Sequence, residues 1–350
     1  MGSGGWTVSD FTRRAASKAA AGKPTFDYDS DLRSRPRSSW HVHSDLDPSA
    51  PNSLGENVRE ALDSAEHPNA TPIVILFDVT GSMGGIPRVL QQKLPQLHGV
   101  LQRRGYVEDP EILFGAVGDA YADRVPLQIG QFESDSRGDE QFEHLVLEGG
   151  GGGGNHESYE LAAYYFARHS RLDCLKRGKK GYLFFIGDER VYAHINRAQV
   201  RAVIGDTLAE DLTTKQVFAE LQQQYHVFFI FAAQGSYQEG DTLDQSLVAS
   251  RYGDNDTSMA VCYWRDLLGQ NALVLEDADA VCETIALTLG VMEGTVTLEE
   301  GLEDLKAVGA TSKAIGAAEH ALALVEAPAT VVRGTGLLPP PRGMGGTTRL

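Results

Sequence analysis

The residues "PIVILFDVTGSMGG" at 72–85 decide the fold. They begin with a continuous apolar run, which is typical of a strand that is covered on both faces. Directly after it, Asp78, Thr80 and Ser82 stand at alternate positions among glycines. Three oxygen-bearing side chains in this pattern indicate a hard cation, a bound phosphate or an unusually polar turn. The rest of the sequence has to decide among these.

The composition excludes two classes of partner. The chain has 350 residues, of which 42% are hydrophobic and 23% are charged, as is ordinary for a globular protein. Its 31 Lys and Arg stand against 48 Asp and Glu, which gives a formal net charge of -17. An acidic surface repels the phosphates of nucleic acids and of anionic lipids. We therefore expect a protein partner, with no nucleic acid and no membrane.

The cysteines and the apolar segments indicate a cellular location. There are three cysteines, an odd number, and no Cys-x-x-Cys pair occurs. This usage is typical of a reducing compartment rather than of a disulfide framework. No run of about 18 apolar residues occurs, and the N-terminus lacks the long apolar core of a secretory signal. The expected location is cytoplasmic.

Six apolar, strand-like segments alternate with helical segments along most of the chain. The segments are 72–78, 111–119, 124–132, 181–188, 226–233 and 272–277. Only the second and third are joined by a short turn, "AYAD", which predicts an antiparallel hairpin. The alternation predicts an α/β fold: a doubly wound, mostly parallel six-stranded open sheet with one antiparallel edge strand and helices on both faces.

Changes of composition divide the chain into four parts. Residues 1–55 are poor in aliphatic side chains and carry turn-forming stretches, so we predict an extended N-terminal arm. The main domain is expected over 56–293, and its residues 56–66 are predicted as a short helix that leads into the first strand. A helical appendage is expected over 294–328. Residues 329–350 are rich in Pro and Gly and are predicted as a flexible tail.

In open α/β sheets, ligands bind beyond the carboxyl ends of the strands. Oxygen-bearing side chains follow the first and fourth predicted strands, and others follow the glycine run at 149–154. No His or Cys cluster accompanies them, and hard oxygen ligands suit Mg²⁺ or Mn²⁺ rather than zinc. The candidate metal ligands are Asp78, Thr80, Ser82, Asn155, Glu157, Ser158 and Asp188.

The sequence Asp-x-Thr-Gly-Ser-Met at 78–83 resembles the metal-ion-dependent adhesion site of the von Willebrand factor A domain family. The family pattern is Asp-x-Ser/Thr-x-Ser, then Thr or Asp in a glycine-containing loop, then Asp after the fourth strand. Asp188, in the stretch "FFIGDE", matches the last position. For the middle position the candidates are Asn155 and Ser158. The resemblance extends over residues 68–293 and is greater to intracellular bacterial members than to secreted adhesins.

This resemblance implies a protein-binding module and not an enzyme. Hydroxyls such as those of Thr80 and Ser82 would coordinate the cation directly, while Asp78 and Asp188 would act mainly through bound water. The ion would then stay under-neutralised and accept an Asp or Glu from a partner. Some intracellular members work beside AAA+ ATPases of the MoxR type, which makes such an ATPase a candidate partner. Glu157 is either a ligand or a charge that favours a helix N-terminus.

Two other functions compete with this one. The stretch "DVTGS" also resembles the phosphorylation loop of haloacid-dehalogenase-type phosphatases, in which Asp78 would attack phosphate and Asp188 would hold Mg²⁺. Most of those enzymes carry a second Asp, the general acid, where this chain has Thr80. The other alternative is a structural subunit of a larger assembly, with an incidental metal site.

The sequence "HVH" at 41–43 is a separate motif. Two histidines can bind a metal ion together with further ligands. Because no third ligand lies nearby in the sequence, we expect no metal site there.

Overall fold

The computed structural model describes residues 26–325 apart from several gaps, together with a few earlier residues. The gaps are 53–54, 84, 90–92, 94–96, 98–100, 102–104, 136, 150–155 and 233–255, and the earlier residues are 13, 16–18, 20–22 and 24. The predicted tail at 329–350 and the candidate ligand Asn155 therefore lie outside the described residues.

A six-stranded sheet forms the centre of the fold. Its strands are β1 (Thr71–Asp78), β2 (Pro110–Val117), β3 (Leu127–Ile129), β4 (Gly181–Gly187), β5 (Tyr225–Ala232) and β6 (Ala272–Leu275). Their order across the sheet is β6-β5-β4-β1-β2-β3. Every neighbouring pair is parallel except β2 and β3, which form an antiparallel hairpin. The predicted sheet is confirmed, and each predicted strand corresponds to one of these six.

The chain order reverses beside β1, which has β2 on one side and β4 on the other. Ligand sites of doubly wound sheets lie at such a switch point. Phe77 of β1 pairs in register with Ile186 of β4. The residues that follow, Asp78 and Asp188, therefore leave the sheet side by side at its carboxyl edge.

Both faces of the sheet are covered, and all eight residues of β1 are buried. Ile73, Ile75 and Phe77 pack into one hydrophobic core, whereas Val74 and Leu76 pack into the core on the opposite face. A strand with two buried faces has no polar alternation. This explains why β1 is a continuous apolar run in the sequence.

Helices cover the two faces. In the described part of the chain they are α1 (Asp27–Arg33), α2 (Arg137–Glu143), α3 (Tyr159–Arg168), α4 (Arg197–Val203), α5 (Thr214–Gln224), α6 (Asp256–Leu268), α7 (Val281–Met292), α8 (Leu298–Ala307) and α9 (Ser312–Leu322). Residues 86–89, 93, 97 and 101, between β1 and β2, are also helical. Single 3₁₀ turns are Arg37–Ser39, Ser44–Leu46, Gly81–Met83, Asp173–Arg177, Gly269–Asn271 and Ala278–Ala280. None of the helices described is long and apolar enough to cross a bilayer.

Three two-stranded pairs lie outside the main sheet. They are Arg59–Ala61 with Ser170–Leu172, His156–Glu157 with Arg190–Val191, and His194–Ile195 with Leu212–Thr213. The first pair shows that the helix predicted over 56–66 is wrong. Arg59 is 1% exposed and donates hydrogen bonds to the carbonyl oxygens of Gly130 (2.8 Å) and Asp47 (2.9 Å). These long-range contacts outweigh the local helix propensity of the segment.

The segment predicted as an extended arm is folded where the structure describes it. It contains α1 and buries Phe26 and Leu32. The ring of Phe26 packs against Phe142, with centroids 5.6 Å apart. Asp29 accepts a hydrogen bond from the backbone N–H of Leu147 at 3.0 Å. A few anchoring residues thus hold a segment whose composition indicates no core.

The two C-terminal helices, α8 and α9, are both present where the sequence predicts helical structure. A capping box starts α8, in which Thr297 and Glu300 each accept a hydrogen bond from the other's backbone N–H. Leu302, Leu305 and Ile315 are buried in the same core as Ile73. The main core therefore continues beyond the predicted domain boundary.

This packing predicts the effect of shortening Leu305. Leu305→Ala should lower the free energy of unfolding by about 2–5 kcal/mol, because it leaves a cavity in the main core. Val308→Ala, on the same helical segment and 46% exposed, should change it by no more than about 0.5 kcal/mol. Urea denaturation measures both. Equal stabilities for the two variants would show that α8 is not part of the main core.

Candidate metal centre

Asp78 ends β1 and is completely buried. Its Oδ1 accepts hydrogen bonds from the backbone N–H of Thr80 at 2.7 Å and from the Thr80 hydroxyl at 2.6 Å. Its Oδ2 accepts a hydrogen bond from the Tyr159 hydroxyl at 2.9 Å. Both oxygens of the carboxylate are thus fixed by hydroxyl and amide donors, and the turn after β1 folds back on the strand end.

Ser82 connects this turn to the neighbouring strand. Its hydroxyl lies 3.4 Å from the Thr80 hydroxyl and donates a hydrogen bond to Asp188 Oδ1 at 2.9 Å. Asp188 follows directly after β4. The structure brings the predicted ligands Asp78, Thr80, Ser82 and Asp188 together, because parallel β1 and β4 end at the same edge of the sheet.

Tyr159 is a site residue that the sequence analysis did not identify. It is the first residue of α3, and its hydroxyl reaches Asp78 across the end of β4. A Cβ atom on Gly187 would lie 1.9 Å from that hydroxyl, so only glycine leaves room for it. The sequence signal for this contact is the glycine directly before Asp188. That signal is weak, because a glycine in the sequence does not show which side chain packs closely against it.

Glu157 also belongs to the site. It lies on the short strand that pairs in parallel with Arg190–Val191, which begins two residues after Asp188. Burial raises the pKa of its carboxyl group, and Asp78 and Thr80 are among the groups near enough to shift that pKa as well. The residue is 4% exposed, and its Oε2 has no hydrogen-bond partner among the described residues. Oδ2 of Asp188 is buried and unpartnered in the same way.

Burial raises the pKa of all three carboxyl groups. For Asp78, burial is the largest cause, and the charge of Asp188 adds to it. For Glu157, burial again comes first, followed by the charges of Asp78 and Asp119. Burial raises the pKa of Asp188 to about 6. The cluster therefore retains protons at pH values where free carboxyl groups are ionised, unless a cation takes their place.

The residues present fit a small divalent cation. The hydrogen-bond donors to the carboxylates of Asp78 and Asp188 are hydroxyls and one backbone N–H, and no basic side chain of the described part pairs with either of them or with Glu157. Buried carboxylates without a compensating charge are costly. Two buried carboxylate oxygens, Oε2 of Glu157 and Oδ2 of Asp188, have no hydrogen-bond partner among the described residues, and the hydroxyls of Thr80 and Ser82 lie between the acids. Such an oxygen donor set suits Mg²⁺ or Mn²⁺.

Two of the predicted ligands, Asn155 and Ser158, have no described contact with this cluster. Asn155 lies outside the described residues. Ser158 is buried, but its hydroxyl accepts a hydrogen bond from the backbone N–H of Ala120 at 2.9 Å. Its own N–H donates to the carbonyl oxygen of Gly118 at 3.0 Å. The contacts of Ser158 are therefore with the turn between β2 and β3.

Comparisons with known proteins add few constraints. No family profile and no curated protein matches the chain. Solved structures that align with it include two crystal structures of the pilus adhesin SpaC of Lactobacillus rhamnosus GG, one of them in an open conformation, at 9% and 10% identity and TM-scores of 0.38 and 0.40. These alignments cover 63% and 64% of this chain but only 30% and 31% of the adhesin. An aerotolerance-related membrane protein of Bacteroides fragilis aligns at 12% identity and a TM-score of 0.33, over 61% of this chain and 96% of that protein. TM-scores this low support no conclusion about the site of this chain.

The hydrogen bond from Tyr159 predicts a stability effect. Tyr159→Phe leaves Oδ2 of Asp78 buried without its donor, which should cost about 1–3 kcal/mol of unfolding free energy in the metal-free protein at pH 8. Tyr121→Phe is the control, because Tyr121 is 60% exposed and should be neutral. Chemical denaturation in EDTA measures both variants. A Tyr159→Phe protein as stable as the wild type would contradict the role given to this hydroxyl.

The raised pKa of Asp188 predicts a pH effect. Because the folded state keeps the proton that the unfolded state releases, the stabilising contribution is present below about pH 4 and is lost as the pH rises through about 6. In EDTA, Asp188→Asn lacks this loss. Its stability relative to the wild type should therefore increase between pH 4 and 7, by up to roughly 3 kcal/mol.

The measurement is the free energy of unfolding of both proteins at intervals across this pH range. Addition of Mg²⁺ should remove much of the difference at pH 7, because the cation favours the ionised wild-type carboxylate. Parallel pH profiles in EDTA would show that Asp188 titrates normally.

Proposed function

We propose that the chain is a Mg²⁺- or Mn²⁺-dependent protein-binding module of the von Willebrand factor A type, which binds an Asp or Glu of a partner protein. One observation carries this proposal. The buried carboxylates of Asp78 and Asp188 are joined through the hydroxyls of Thr80 and Ser82, and no basic side chain among the described residues neutralises them. The sequence motif supports the same reading, since these four residues match the family pattern.

The residues of the chain have distinct tasks in this proposal. Thr80 and Ser82 would hold the cation through neutral hydroxyls, and Asp78 would orient Thr80. Asp188 would orient Ser82 and offer its free Oδ2. We assign to Glu157, rather than to Ser158, the position that a Thr or Asp of the glycine-containing loop has in the family. A bound cation would supply an electrophilic centre that a carboxylate from outside can approach.

The phosphotransfer alternative is less well supported. A nucleophilic Asp needs a free oxygen that faces the phosphorus atom. Asp78 is completely buried, and both of its oxygens accept hydrogen bonds. Its raised pKa also lowers the fraction of ionised carboxylate that could attack. We therefore propose a binding role and no enzymatic turnover.

The identity of the partner rests on the family resemblance alone. We propose a scaffold or adaptor role beside an AAA+ ATPase of the MoxR type, in the cytoplasm. A structural subunit with an incidental metal site is the remaining alternative. The two differ in one property: partner binding through the cation is reversed by a chelator, whereas a structural assembly persists in EDTA.

Metal binding itself is tested by thermal unfolding. At about one hundred times the dissociation constant, Mg²⁺ or Mn²⁺ should stabilise the wild type by roughly 2.7 kcal/mol. Asp78→Ala and Ser82→Ala should abolish this stabilisation, and the exposed controls Asp31→Ala and Ser39→Ala should retain it in full. A wild-type melting temperature that millimolar metal leaves unchanged would refute the proposed site. The same samples test turnover: metal-dependent hydrolysis of a generic phosphoester, lost in Asp78→Asn, would favour the phosphatase.

Partner binding needs a second experiment. A partner captured in the presence of Mg²⁺ should be released by EDTA, should not bind Asp78→Ala, and should lose affinity when one of its own acidic residues is neutralised. Binding to the Asp31→Ala control should be unchanged. Partner binding that persists after all three changes would show that the interface lies elsewhere and that the metal site is incidental.

A further inference from the structure

A second cluster of metal-ligand type lies where the arm meets the end of α2. It consists of His43, Asp45 and His144, whose ligand atoms all lie within 4.8 Å of one another. His43 and Asp45 belong to the segment around the 3₁₀ turn Ser44–Leu46, and His144 directly follows α2. The cluster is thus formed by residues about one hundred positions apart in the sequence. Its ligands are not among those of the candidate metal centre.

The distances in this cluster fit ligands of one ion. Oδ2 of Asp45 lies 3.1 Å from Nδ1 of His144 and 3.4 Å from Nδ1 of His43. In a tetrahedral zinc site with bonds of about 2.0–2.2 Å, neighbouring ligand atoms are about 3.3–3.6 Å apart. The two distances from Asp45 are close to this range, and the ligand atoms of the two histidines lie within 4.8 Å of each other.

An ordinary ion pair explains the arrangement less well. Nδ1 of His144 is buried and makes no hydrogen bond to a described residue, although the Asp45 carboxylate is close to it. Nδ1 of His43 accepts a hydrogen bond from the N–H of Asp45 at 3.2 Å and therefore carries no proton in this arrangement. An ion bound at this nitrogen would replace that hydrogen bond. The two imidazole rings are stacked with centroids 3.8 Å apart, a spacing at which two positive charges would repel. A metal ion bound between these groups requires neutral imidazoles and an ionised carboxylate, and it would remove the repulsion between them.

The surroundings hold the ligands in place and leave one side open. The ring of Tyr28 packs edge-on against His43 at 4.7 Å. Asp45 is exposed over 52% of its side chain, and it lines a polar cavity of about 290 Å³ together with Ser44 and Glu140. Water from this side can complete the coordination of an ion that has three protein ligands.

We propose that His43, Asp45 and His144 bind Zn²⁺ or a related divalent transition metal. Two imidazoles and one carboxylate favour such an ion over Mg²⁺, which prefers oxygen ligands. The ion would fasten the arm to the segment after α2, in addition to the ion pair of Arg37 with Glu148 at 2.9 Å, which joins the same two segments. Because it would link two distant parts of the chain, we assign this ion a structural role. The sequence expectation of no metal site at 41–43 considered only neighbours along the chain, and His144 supplies the missing ligand.

The test uses the full chain without an affinity tag, freed of metal by a chelator and kept in millimolar Mg²⁺. Zn²⁺ is titrated by calorimetry, and Co²⁺ absorption reports the coordination geometry. The wild type should bind one equivalent of Zn²⁺. His43→Gln and His144→Gln should weaken this binding at least tenfold, whereas His41→Gln should not change it. His41 is the matched control, because its Nδ1 contacts the carbonyl oxygen of Ser39 rather than the cluster.

Two further proteins complete the test. Asp78→Ala should bind Zn²⁺ as the wild type does, which separates this site from the candidate metal centre. Circular dichroism verifies that each variant is folded. If a histidine variant fails to fold, Asp45→Asn is used instead, because the side chain of Asp45 is half-exposed. The proposal is overturned if the wild type takes up no Zn²⁺, or if the cluster variants and His41→Gln bind it equally well.

Discussion

The burial of Asp78 is the constraint on which the site depends. A carboxylate at the end of the central strand has lost its hydration, and the fold must supply donors or a cation in its place. The turn after β1 supplies the hydroxyl and N–H of Thr80, and α3 supplies the hydroxyl of Tyr159. Gly187 follows from this requirement, because any side chain there would displace Tyr159.

The sheet order turns one buried acid into a cluster. β4 lies next to β1, so Asp188 leaves the sheet beside Asp78, and the strand pair that contains Glu157 attaches two residues after it. Each additional acid raises the cost of ionising the others. In the part of the chain that the structure describes, these three buried acids have no basic partner, and such acids are stabilised by protonation or by a cation. The proposed function corresponds to the second case, in which a bound cation stabilises the acids.

The sequence reveals those parts of the site that follow from local pattern plus topology. Continuous apolar runs locate the six strands, and the rule that ligands follow strand ends brings Asp78 and Asp188 together. Contacts set by helix register or by distant chain segments leave no such pattern. Tyr159 and the His43–His144 pair belong to that class, and so does the buried Arg59, whose carbonyl partners turn an apparently helical segment into a strand. Local propensity yields to such packing wherever the partner is far away in the sequence.

Crystals grown with Mn²⁺ give the most direct test of the claim that this acidic cluster is a cation site, because the anomalous signal of the ion locates it without reference to any variant. We expect an anomalous peak within coordination distance of the Thr80 and Ser82 hydroxyls, with Asp188 or Glu157 beside it. An anomalous map without a peak between these side chains at saturating Mn²⁺ would contradict it.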